Sequence, residues 1–333
     1  MVFAELVASE ERARVLKINE REKTLSTPSY FPAISGTKAS HPLEYLLDFV
    51  LSSKYPRVLV SAYDFAKMSA SDRQRFLAAV RGYRSRGGFV MLDSGIFESY
   101  WKRDTDWTFQ QYALMIKKID CDFYCSFDEL PTKKDIKIPF AERTRKLVTR
   151  SALLGLSSHC VPVIHGSDST ELISNASSIV KTKPDQSKII AVPDRDCGNT
   201  LTERACTILR LQEMIRRRDS TRVLHILGCG NPISMALYAY CGADTFDSLE
   251  WSSLTIERNE LRIGDFSQLE LMNCTCSVCK TPINDPIRKT LLHNLLFYQD
   301  FSLKLQQMVK KQTLKDFVQL FVGKEIMMRL NPR

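Results

Sequence analysis

Four aspartates stand directly behind short apolar runs: Asp93 in Leu92-Asp93-Ser94-Gly95-Ile96-Phe97, Asp128 in Phe127-Asp128-Glu129, Asp194 in Pro193-Asp194-Arg195 and Asp247 in Phe246-Asp247-Ser248. A further run ends in Ile164-His165-Gly166. If these runs are parallel strands, their C-terminal ends share one face and the carboxylates converge. Like charges held together cost stability, so a purely structural account needs several independent helix caps at once. Two carboxylates on either side of a sugar carbon can break a glycosidic bond, one as nucleophile and the other as proton carrier. Taken by itself, Asp247 with Ser248 is also compatible with a helix N-cap. The rest of the chain decides.

A second group lies downstream. Cys274-Thr275-Cys276-Ser277-Val278-Cys279 is followed, after Pro282 and Pro286, by His293 in an apolar helical run. Three thiolates and one imidazole make a closed tetrahedral Zn2+ site, which folds a subdomain and leaves no open position for catalysis. His225 and His165 are alternative fourth ligands, but both sit in strand-like runs. The other seven of the ten cysteines are scattered and read as small core residues.

The elements that position these groups follow from periodicity. Buried parallel strands are expected at Tyr30 to Ile34, Arg57 to Ser61, Phe89 to Leu92, Asp122 to Phe127, Val161 to Ile164, Lys188 to Val192, Val223 to Leu227 and Ala243 to Phe246. Helical spacing lies between them, as in Leu43-Leu46-Leu47-Val50 and Phe109-Tyr112-Ile116. Glycine or proline marks the run ends at Gly36, Gly95, Pro131, Gly166, Pro193 and Gly228. Eight such units predict an α/β fold, a (β/α)8 TIM barrel. A β-rich segment, Met1 to Thr27, precedes it and a zinc-binding helical subdomain follows, with the division expected at 1–270 and 271–333. Leu291, Leu295, Tyr298, Leu305 and Met308 share a helix face that would pack on the barrel or on a second subunit.

The 333 residues, 44% of them hydrophobic, suffice for a large core. No leader peptide is recognisable and no apolar run approaches the ~18 residues of a membrane helix, so a reducing, cytoplasmic setting is expected. A net charge of +9 and a pI near 9.0 point to a polyanionic partner. The basic residues gather at Lys133, Lys134, Lys137, Arg143, Arg145, Lys146 and Arg150, at Arg216-Arg217-Arg218, and along the tail from Lys304 to Arg333. Each of these groups also suits a solvated helix face.

The Asp-Ser-Gly-x-Phe of Asp93, the Phe-Asp-Glu of Asp128, Leu227-Gly228-Cys229-Gly230, Phe246-Asp247 and the CxCxxC with its histidine together resemble the tRNA-guanine transglycosylase superfamily. The likeness covers nearly the whole chain. It implies a zinc-bearing barrel that exchanges a guanine in a polynucleotide for a 7-deazaguanine base. Asp247 would be the nucleophile at the anomeric carbon and Asp93 the general acid and base. Asp128 would accept hydrogen bonds from the purine edge, Phe97 and Leu227 would sandwich its rings, and Ser94, His165, Gly166, Asp194 and Gly228 would complete the base pocket. Neither ATP nor a redox cofactor is implied, because one glycosidic bond replaces another.

The chain also departs from that pattern. His165-Gly166-Ser167 stands where the family shows glutamine before a glycine pair, and Pro193-Asp194-Arg195 replaces a Gly-Gly. Ser248-Leu249-Glu250-Trp251 stands where the bacterial tRNA enzymes have Pro-Thr-Arg, and no RNA-binding domain of the archaeal kind follows before Arg333. Kept carboxylates with changed polynucleotide contacts lead to the expectation of the superfamily's DNA-modifying branch. These DNA-guanine transglycosylases insert a 7-deazaguanine such as the 7-cyano form, and an accessory DNA-opening protein is a possible partner. A tRNA substrate is the alternative. A non-catalytic subunit is a third reading, against which the retention of both Asp93 and Asp247 argues. A glycoside hydrolase is a fourth, against which the zinc element argues.

Overall fold

A computed structural model describes residues 2–130, 139–155, 157–181 and 187–330. Pro131, Lys133, Lys134, Lys137 and Arg333 lie outside the described residues. Three antiparallel strands come first: β1 (Val2–Glu10), β2 (Ala13–Glu20) and β3 (Lys23–Ser26). Eight parallel strands follow: β4 (Ser29–Ile34), β5 (Arg57–Ser61), β6 (Phe89–Asp93), β7 (Phe123–Cys125), β8 (Cys160–Val161), β9 (Ile189–Pro193), β10 (Val223–Leu227) and β11 (Thr245–Ser248). Their order is β8-β7-β6-β5-β4-β11-β10-β9. The ring closes between its ends by a parallel bridge from Val163 to Ala191, with Ile164 N–H donating to the Ala191 carbonyl at 2.9 Å. This is the expected (β/α)8 barrel.

Strands buried on both faces need unbroken apolar runs, and all five residues of β5 are buried. Two strands are shorter than expected. Past Val161, Val163 N–H donates to the Ser126 hydroxyl at 2.9 Å, and Pro162 has no N–H to give. A side chain thus takes over part of the backbone ladder, and β7 and β8 end early. In the last strand, Ala243 N–H still bonds the Tyr238 carbonyl of the preceding helix, so β11 starts at Thr245 and contains Asp247. Asp247 is therefore a strand residue opposite Phe31 of β4 and not a helix cap.

The barrel interior is a packed core. Phe31, Leu59, Met91, Phe123, Val161 and Ile189 fill it, and Leu16, Ile18 and Leu25 of the β1–β3 sheet close its N-terminal end. Each such fully buried side chain contributes roughly 1.5–3 kcal/mol. Arg14 of β2 locks the plug through a buried ion pair with Asp244 at 2.7 Å. Among the described residues, the C-terminal mouth is the end of the barrel left open.

Outer helices bury one face each, as Leu46, Leu47 and Val50 do in the helix Leu43–Ser52. Capping boxes start two of them, Thr108 with Gln111 and Thr200 with Glu203. The 26-residue helix Pro286–Lys311 packs on its own barrel. Tyr298 stacks on Tyr30 of β4 at 3.7 Å and donates its hydroxyl to the Gly230 carbonyl, while Gln306 bonds the Pro28 carbonyl at 2.9 Å. The helix Leu314–Leu330, broken at Gly323, docks against the helices Leu201–Arg216 and Pro232–Tyr240. Among the described residues no helix is long and apolar enough to cross a membrane.

Several basic residues serve the fold. Arg143 pairs with Glu129 at 3.2 Å, Lys146 with Glu142, and Arg216 bonds the Arg12 carbonyl.

Candidate active site

A cleft of about 450 Å3 opens at the C-terminal mouth of the barrel, bordered by Asp93, Asp128, His165, Asp194, Leu227 and Asp247. Ser94, Phe97 and Gly228 border it too. Gly166 does not. A Cβ there would lie 2.3 Å from the Leu172 backbone nitrogen, so this glycine serves the close approach of the helix Ser169–Lys181.

Asp93 ends β6, and its Oδ2 accepts from Gly95 N–H at 3.0 Å. Gly95 has φ +83°, and a Cβ on it would strike Tyr63, so the turn that holds Asp93 demands glycine. Burial, with help from the Asp128 and Asp247 charges, raises the Asp93 pKa to about 7. Asp247 is held differently. Its Oδ1 accepts from Gly228 N–H at 3.2 Å and from His225 Nε2 at 3.1 Å. These two contacts fix the orientation of the carboxylate at the cleft wall.

Asp128 is bonded at both oxygens, by the Ser94 hydroxyl at 2.5 Å and by His165 Nε2 at 2.8 Å. The other nitrogen of His165 meets Asp196 Oδ2 at 2.7 Å. Burial alone would pull the pKa of this ring down, but two carboxylates outweigh it and hold it up to about 9. The ring is an imidazolium at neutral pH, donating at both ends. Asp194 forms an ion pair with Arg204.

Sequence reasoning missed four groups at or beneath the cleft. His225 was considered only as a metal ligand; it lies two residues before Leu227 on the same face of β10, opposite Thr245 of β11. Asp196 completes the carboxylate–imidazolium–carboxylate row. Glu98 borders the cleft, and burial, then Asp93 and Asp64, push it up to about 8; its Oε2 has no hydrogen-bond partner among the described residues. Glu250 also borders it, raised to about 7 by burial and then Asp194. The available signal for Glu98 was a lone carboxylate in the apolar turn Ile96-Phe97-Glu98.

The cysteine cluster is separate from the cleft. Sγ atoms of Cys274, Cys276 and Cys279 lie 3.7, 3.6 and 3.3 Å from Nδ1 of His293. All four ligand atoms fall within 4.8 Å of one another. Tetrahedral zinc with ordinary bond lengths requires S···N edges of about 3.5 Å. Nε2 of His293 donates to the Ile256 carbonyl at 2.9 Å, which leaves the Nδ1 lone pair for a metal. The donor set fits a closed structural ion. His165 and His225 are committed elsewhere.

The sequence profile described as queuine tRNA-ribosyltransferase matches residues 9–325. The chain belongs to that family. Among curated proteins, it is similar to the tRNA-guanine(15) transglycosylase of Thermococcus onnurineus, 21% identical over 332 residues, which cover 92% of this chain and 54% of that protein. The same-named proteins of Methanopyrus kandleri and Methanocaldococcus jannaschii are each 23% identical, over 82% and 92% of this chain and 59% and 49% of theirs. The chain spans about half the length of these curated relatives. Their names speak of tRNA, and the expected DNA-modifying branch gains no support from them.

Proposed function

We propose that this chain exchanges guanine in a polynucleotide for a 7-deazaguanine base, and that the polynucleotide is tRNA, as the names of its relatives favour. The observation that carries the reading is the pairing of Asp93 and Asp247 across one cleft, one carboxyl with a pKa near neutrality and the other held by two donors. Asp247 attacks the anomeric carbon; the new C–O bond forms as the bond to guanine breaks, and protonated Asp93 gives its proton to the departing base. Ionised Asp93 then takes a proton from the incoming base, whose nitrogen displaces Asp247. The N1–H and the exocyclic amine of the base are donors suited to Asp128, whose oxygens retain lone pairs beyond those used by Ser94 and His165. Phe97 and Leu227 supply apolar surface for the purine faces, and Asp194 lies at the pocket wall. The base must leave its stack to reach the cleft.

Zinc at Cys274, Cys276, Cys279 and His293 would supply a cross-link between the segment that carries the three cysteines and the helix Pro286–Lys311.

DNA is kept as a second reading because His165, clamped by Asp128 and Asp196, and the ion-paired Asp194 give the pocket a wall unlike the family pattern. The deciding experiment offers the purified protein radiolabelled guanine with bulk tRNA, duplex DNA and single-stranded DNA side by side. Label in tRNA supports the main reading. Label only in DNA replaces the substrate and keeps the chemistry, and a preference for single strands would call for a DNA-opening partner. No label in any polynucleotide would sink the exchange reading.

A further inference from the structure

The helix Ile96–Trp101 begins three residues after Asp93 and carries aromatic rings outward from the cleft. Phe97 borders the cleft and meets Trp101 edge-on, with centroids 6.3 Å apart; Trp101 meets Tyr100 in the same way at 5.6 Å. Tyr100 is 60% exposed and Trp101 46%. The other two tryptophans, Trp107 and Trp251, are 6% and 0% exposed, and each donates its indole N–H to a backbone carbonyl. Adjacent large aromatics left in water beside a cleft mark a contact surface.

The charges around these rings are mostly positive toward solvent. Lys38, itself on the cleft border, places Nζ 3.2 Å from the Trp101 ring centroid, and the exposed Lys102 and Arg103 continue the chain. Of the nearby acids, Glu98 is buried and Asp104 is engaged by Lys67 and by the Tyr63 hydroxyl, which leaves the exposed Asp106. Flat rings beside cations suit an unpaired base and its phosphates, because every base has a π-face and stacking tolerates any sequence. A polynucleotide that gives up one base to the cleft leaves the neighbouring base unstacked next to this helix.

We propose that Trp101 and Tyr100 form a stacking platform for the unpaired base that neighbours the nucleotide in the cleft, with Lys38, Lys102 and Arg103 facing the adjoining phosphates. The proposal rests on the polynucleotide reading above and adds a subsite to it. A base on the platform would fix the register of the strand and thereby select which guanine reaches Asp247.

Trp101 is also the probe. The whole protein is titrated with a guanine-containing single-stranded oligonucleotide, in RNA and DNA versions, and with a third version in which the nucleotides flanking the guanine are abasic, while tryptophan emission is followed. The expected result is quenching by the intact strands and little by the abasic one, with the sugar that quenches at lower concentration identifying the natural strand. Trp101→Ala should weaken binding about 5- to 150-fold and Trp101→Phe should restore most of it. In base exchange, Trp101→Ala should raise KM with kcat little changed. Equal binding by Trp101→Ala, equal quenching by the abasic strand, or no binding of either intact strand overturns the platform. Binding and exchange without quenching also overturn it and leave the exchange reading standing; quenching without exchange keeps the platform and removes that reading.

Discussion

His225 donates from Nε2 to Oδ1 of Asp247 across the β10–β11 pair, at 3.1 Å and out of reach of solvent. A carboxylate oxygen accepts, so this contact places a proton on Nε2, and Nδ1 meets the Thr245 hydroxyl at 2.8 Å. The two contacts fix the orientation of the ring and of the proposed nucleophile together. Asp247→Ala should lower base exchange by about 10⁴-fold or more and abolish covalent trapping of the polynucleotide. His225→Ala, which removes one hydrogen bond to a charged group, should cost about 10- to 100-fold while trapping persists. Trapping by Asp247→Ala would move the nucleophile elsewhere.

In the proposed exchange Asp93 serves in both protonation states, and burial beside Asp128 and Asp247 raises it to about 7. Guanine release needs the acid form and falls as pH rises above 7; resolution needs the carboxylate and falls below it. The exchange rate should therefore peak near pH 7. Asp93→Asn should lower turnover about 10²- to 10⁴-fold with an unchanged circular dichroism spectrum. An unaltered rate would remove Asp93 from proton transfer.

Glu98, raised to about 8 by burial and by Asp93, binds its proton more tightly folded than unfolded. The stability linked to it is fully present below the unfolded carboxyl pKa of about 4 and is lost as pH rises through about 8. Glu98→Gln removes this loss. Its melting temperature should exceed that of the wild type by a few degrees at pH 9, with the advantage shrinking toward pH 4. A constant difference across that range would show that Glu98 does not titrate in the folded protein.

His165 runs the opposite chemistry with the same slope. Its folded pKa of about 9 exceeds the unfolded value near 6.5, so its contribution is complete below pH 6.5 and disappears as pH rises through 9. His165→Ala strands the buried carboxylates of Asp128 and Asp196 and should cost about 3–5 kcal/mol at pH 6, read by urea denaturation. The cost should shrink by pH 10. If it did not, packing rather than charge would explain His165.

The thiolate cluster is tested by metal content. The purified protein should carry one zinc per chain, and Cys276→Ser should lose it along with several degrees of melting temperature. Retention of one zinc per chain in the variant would refute the assigned ligands.

Local spacing determined the elements of this protein. Arg57–Ser61 and Val223–Leu227 are strands residue for residue as expected, because a strand covered on both faces is mainly apolar; His225 interrupts the second run and is held there by Thr245 and Asp247. The CxCxxC spacing likewise brings its three thiols together as a candidate metal site, since they are near neighbours in the chain. Decisions made across the barrel were not legible in this way. Ser126 shortens β7 and β8 by bonding a strand it does not adjoin in sequence. Gly166 signals a close approach, and only the packed structure shows that a helix, not a base, makes it. The docking of Tyr298 on Tyr30, the pairing of His225 with Asp247 and the clamp of Asp128 and Asp196 on His165 all join residues far apart in the chain. Periodicity encodes which face of an element is buried; the partner on that face is selected only when the ring of strands closes and sets the register between neighbours.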